Sequence, residues 1–88
     1  MTQGLQQASS DLEDAAETAD GDLRDTLRET AREFDELARG DAVADHAVLD
    51  AHLNALRQAR ERVGGDTEAK LESAIEAAED YRESLSQA

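Results

Sequence analysis

Leucine and alanine return every three or four residues along most of this chain, and no proline interrupts them. That spacing is the repeat of one helix face, and no other period runs through the chain. Leu5, Ala8, Leu12, Ala15 and Ala19 form a first stripe. Gly21, between Asp20 and Asp22, can end that helix in a left-handed conformation, with Asp22 expected to cap the next. Leu23, Leu27, Thr30, Phe34 and Leu37 continue the period on a rotated face until Gly40. A third helix begins between Asp41 and Asp45, with Leu49, His52 or Leu53, Leu56, Ala59 and Val63 as its stripe. Gly64-Gly65-Asp66-Thr67 combines a break with a cap, and Leu71, Ala74, Ile75, Ala78, Tyr81 and Leu85 follow.

These stripes predict an all-α fold. Four helices form two antiparallel αα-hairpins, over residues 4–39 and 42–86, in one bundle-like domain spanning 1–88. The expected core is Leu12, Leu27, Phe34, Leu37, Leu49, Leu53, Leu56, Leu71, Ile75 and Leu85. Sliding the chain 44 positions over itself aligns Leu5 with Leu49, Leu12 with Leu56, Ala15 with Ala59, Gly21-Asp22 with Gly65-Asp66 and Leu27 with Leu71. That register suggests one hairpin used twice. Within each hairpin a bulky residue should face an alanine, Phe34 against Ala8 and His52 against Ala78, as dense packing requires.

Charge is the second constraint. Twenty-two acids against nine bases give −13, and the bases are eight arginines and a single lysine, Lys70. High charge with 2% aromatics leans toward disorder. The periodic leucines and the absence of proline oppose it. An acidic field repels nucleic acid and anionic lipid, so neither is an expected partner. No run of residues approaches the apolar length of a membrane span, and "MTQGLQQASS" lacks the basic and apolar segments of a secretory leader, so a cytoplasmic location is expected. The absence of cysteine excludes disulfides and thiol chemistry.

Few residues suggest chemistry. The acid-rich segment at 11–25 fails as a calcium loop, because counting from Asp20 puts Asp25 and Ala31 where glycine and glutamate are needed. Its acids read instead as a solvated face. His46 and Asp50, four apart, could share a metal ion with His52, but zinc normally takes three or four ligands. His52 reads better as a core-edge residue than as a ligand. His46, Asp50, Tyr81 and Arg82 could converge into a polar cluster capable of acid–base work, without an activated nucleophile or phosphate cradle beside it. No catalytic residue, cofactor or metal is assigned.

"DHAVLDAHLNALRQ" at 45–58 and "AEDYRES" at 78–84 resemble segments of small uncharacterised haloarchaeal helical proteins. The resemblance implies a halophilic cytosolic helical domain and no known activity. Abundant carboxylates with little lysine fit that setting, because molar salt screens their repulsion while they keep the surface hydrated. The functional expectation is a non-enzymatic interaction or structural module, self-associating as a dimer or completed by another protein. The rivals are a metal-binding bundle using His46, Asp50 and His52, and an acidic regulator of a basic partner.

Overall fold

A computed structural model describes residues 3–40 and 45–86. Four helices account for nearly all of them: α1 (Gln3–Thr18), α2 (Gly21–Arg39), α3 (His46–Arg60) and α4 (Gly65–Ser86). No strand occurs among the described residues.

Local chemistry sets the boundaries. After α1, Ala19 N–H bonds the Ala16 carbonyl, and Gly21 takes φ +60°, a left-handed conformation that glycine adopts without steric cost. Asp20, not Asp22, stands at the N-cap of α2, and its side chain makes no capping bond. Asp22 lies in the first turn, where its negative charge complements the positive end of the helix dipole. Gly40, at φ +84°, closes α2 by donating to the Glu36 and Leu37 carbonyls. Asp45 caps α3, its carboxylate accepting from Val48 N–H at 2.8 Å, and so fixes a start that the sequence left open. Residues 41–44 of the alternative start lie outside the described residues.

Cross-helix contacts give the topology. Ser9 Oγ donates to the Ala31 carbonyl at 2.7 Å, so α2 runs back along α1. Asp11 accepts from Ser73 Oγ at 2.6 Å, and Gly4 lies against the Ala77 carbonyl, so α4 is antiparallel to α1. Arg57 reaches Glu79 and Arg60 reaches Glu72, which sets α3 antiparallel to α4. The bundle is up-down-up-down. α1 is held closely on two sides, by α2 and α4, whereas α2 and α3 approach each other only briefly.

The core is the predicted one. Leu12, Leu27, Phe34, Leu49, Leu56 and Leu71 are fully enclosed, Leu37, Leu53 and Ile75 are buried, and Leu5 joins them. The side chain of Leu85 lies outside the described residues. Ala8, Ala15, Ala16, Ala74 and Ala78 are also fully enclosed and let the helix backbones come close.

The 44-residue offset recurs in the structure. Gly21 and Gly65 have φ +60° and +63° at equivalent turns. Burial matches at Leu5 and Leu49, Ser9 and Leu53, Leu12 and Leu56, Leu27 and Leu71, and Thr30 and Ala74. The offset relates two seams between the hairpins, α1 with α4, which is extensive, and α3 with α2, which is slight. Their fillings differ. On the first seam Ala8 and Ala78 are both fully enclosed. On the second, the equivalent positions hold His52 and Phe34, whose rings meet edge to face at 5.3 Å. Val48 replaces Gly4, and Glu33 replaces Ala77. Small residues close one seam, and rings hold the other apart.

Candidate functional site

Arg82 on α4 grips Asp50 on α3 with two bonds, Nε to Oδ1 at 2.6 Å and Nη2 to Oδ2 at 3.3 Å. The hydrogen bond from Arg82, assisted by the charges of Arg82, His46 and Arg57, holds the Asp50 carboxyl below its ordinary value, and the same bond raises Arg82. Arg57 to Glu79 at 2.5 Å and Arg60 to Glu72 at 3.2 Å continue the row. Tyr81 turns the other way, its Cβ against Gly4 of α1, and packs at the core edge. Of the four residues expected to converge, Asp50 and Arg82 do, with His46 near enough to act on Asp50. Chemically the pair is a clamp between helices: its carboxylate is already committed to a guanidinium.

His52 leans away from that clamp. Its Nε2 lies 3.3 Å from Glu33 Oε2 on α2, and its ring meets Phe34. At 18% side-chain exposure it occupies a core edge, facing α2 and not the alanine on α4 that hairpin geometry suggested. Asp50 thus reaches α4 and His52 reaches α2, so the His46, Asp50 and His52 set does not converge on one ion. Among the described residues no group of three His, Asp or Glu side chains could hold a metal.

The acidic segment at 11–25 is not uniformly solvated. Asp11 is only 5% exposed, and its carboxylate accepts from Ser73 Oγ and from Gln7 Nε2 at 3.0 Å. The sequence placed it on the hydrated face. Its position in the series Gly4, Ala8, Asp11, Ala15, Thr18, which lines the α4 side of α1, was the available signal. Thr18 and Thr67 share a hydroxyl hydrogen bond two turns further along the same seam. Asp14 pairs with Lys70 at 3.7 Å, and the shallow groove between α1 and α2 mixes Glu13, Glu17 and Asp35 with Arg28 and Arg32.

A different feature stands out on α3. Its outward arc consists of Ala47, Val48, Ala51, Asn54, Ala55 and Gln58, all exposed and none charged. Val48, at 36%, is the exposed large hydrophobic residue among the described side chains. α3 carries one acid against two arginines, whereas α1 carries four acids and no base, and α4 seven acids against Lys70 and Arg82. The uncharged spacing is visible in the sequence, but only the packing shows which side of α3 stays outside.

A family of unknown function, DUF7553, matches residues 1–84. The chain belongs to that family. Neither a curated protein nor a solved structure matches it. The two hairpins of the DUF7553 fold described above fall almost entirely inside the matched span, so the seams and the α3 arc belong to the family region. None of the described helices is long and apolar enough to cross a membrane.

Proposed function

We propose that this chain is a non-catalytic helical interaction module of a halophilic cytosol, presenting α3 to another protein surface. One observation carries the reading: an acid-free, exposed arc on α3 in a bundle of net charge −13. Elsewhere carboxylates keep the surface hydrated. Over this arc no charge has to be desolvated on contact, the condition that the centre of a protein interface favours. The inner face of α3 is tied to α4 by the Asp50–Arg82 clamp and the Arg57–Glu79 pair, which turns the arc outward. The halophilic setting is supported by the acid excess, the eight-to-one ratio of arginine to lysine, and the resemblance of residues 45–58 and 78–84 to haloarchaeal helical proteins.

A photo-reactive side chain placed at position 51, at molar salt, tests the reading against the same group at position 13 on the acidic face of α1. A discrete cross-linked product from position 51 and none from position 13 is the expected result. Equal labelling from both positions, or no product from 51, would overturn it.

A further inference from the structure

The charges bordering the arc identify what can cover it. Along the α4 side of α3 and its exit, at steps of three and four residues, stand His46, Asp50, Asn54, Arg57 and Glu61. Turned end for end, this row complements itself. With Asn54 near the centre, Asp50 falls opposite Arg57, Arg57 opposite Asp50, and His46 opposite Glu61. A parallel pairing would instead set this row against the Val48 margin of the other copy, which offers it no charge. The Asp50 and Arg57 side chains remain about half open to solvent beyond their partners on α4, at 50% and 44% exposure. Two molecules of charge −13 repel wherever α1 or α4 meets its like, since those helices carry the acid excess. The α3 face escapes that repulsion.

We propose that the occupant of this face is a second copy of the chain, packed α3 against α3, antiparallel, about a two-fold axis near Asn54. The proposal rests on the reading of α3 as an interaction face and names its partner. Ala47, Ala51 and Ala55 let the two helices approach closely, with Val48 at one margin and the Asp50–Arg57 pairs at the other. The contact is isologous, so it closes as a dimer and does not propagate. One helix face is smaller than the roughly 800 Å² per partner of a standard interface, so the association is weak. It strengthens with salt, because screening removes the long-range repulsion of the two acidic bodies and weakens the Asp50–Arg57 pairs, which act at contact distance, by less.

Sedimentation equilibrium in about 2 M potassium chloride, where screening acts over about 3 Å or less, reads the association. The mass should rise from one chain toward two with concentration. Ala51→Glu, at an exposed position that leaves the fold intact, places like charges across the axis and should weaken dimerisation about tenfold or more. Because the chain has no cysteine, Asn54→Cys should cross-link to itself on oxidation, and Glu13→Cys should not. A single monomeric mass at all concentrations, an Ala51→Glu variant that associates unchanged, or no cross-link at position 54 overturns the inference. If position 51 labels a different protein while the chain stays monomeric, the inference falls and the interaction reading stands. If position 51 labels nothing, both fall.

Discussion

Phe34 on α2 and His52 on α3 meet edge to face, 5.3 Å between ring centroids, at the positions that the 44-residue offset relates to the enclosed Ala78 and Ala8. Phe34 fills the core and His52 rests on it, so the two should respond differently to truncation. Phe34→Ala should cost about 3–5 kcal/mol. His52→Leu keeps the volume and forfeits only a partly exposed partner in Glu33, so its change should stay within about 1 kcal/mol. Chemical denaturation of both variants checks this, and equal losses would show that His52 bears weight not visible in its contacts.

The closed seam should tolerate no added volume. A β-carbon at Gly4 would sit 3.3 Å from the Ala77 carbonyl, and Ala8 is fully enclosed. Ala8→Leu should destabilise by about 1–3 kcal/mol or push α4 outward. The equivalent change on the open seam, His52→Leu, is the control. Similar melting temperatures for the two would contradict the difference between the seams.

Asp11 is buried with two donors, Ser73 and Gln7, and no cation pairs with it among the described residues. Ser73→Ala removes the shorter bond and leaves an enclosed carboxylate short of a partner, at a cost of about 1–3 kcal/mol. Ser84→Ala, on an exposed stretch of the same helix, should be silent. Matching stabilities for the two variants would place Asp11 in water.

The Asp50–Arg82 clamp predicts a pH dependence. The hydrogen bond from Arg82 lowers the folded carboxyl below its ordinary value of 3.8. The pair's contribution is therefore complete above that value and is lost as pH falls below it, through the folded value. Carbon-detected NMR titration should find Asp50 returning toward 3.8 in Arg82→Ala. An unchanged titration would mean the clamp does not hold in solution.

Salt should govern stability throughout. Screening length is about 30 Å at 0.01 M and about 3 Å at 1 M. The bundle measures 36 × 20 × 19 Å, so at the first value each carboxylate acts across its whole width. Melting temperature should rise steadily between dilute and molar potassium chloride, and a flat profile would refute the screening argument. Residues 1–44 carry −8 and residues 45–88 carry −5, so charge alone would open the first hairpin earlier. Packing reverses that order, because α1 is held on two seams and α3 closely by α4 alone. Hydrogen exchange should be fastest in α3 once salt has screened the field.

The fold was legible because its signals are local. The three- and four-residue steps place Leu12, Leu27, Leu56 and Leu71 inward before any tertiary contact is known, and the glycines at 21, 40 and 65 mark the ends. Pairing between helices was less legible. Hairpin geometry set His52 against Ala78, but a side chain at that angle serves the neighbouring hairpin as readily as its own, and Phe34 was there. Asp11 was misplaced for a related reason: its charge type argued for water, while the Ser73 hydroxyl that makes burial tolerable lies 62 residues away. The Asp50–Arg82 pairing followed from the expected polar cluster, whereas Tyr81 turned toward the space that Gly4 leaves open.

The 44-residue correspondence between the hairpins has one last consequence. Two identical hairpins meeting as separate molecules must build both seams from the same residues, so neither can specialise. Tandem linkage in a single chain lifts that restriction. Alanine and glycine can then seal one side permanently, while the mirror positions accept a ring, an imidazole and an exposed valine. A division between a fixed side and an available side is thus something only the covalent tandem can encode.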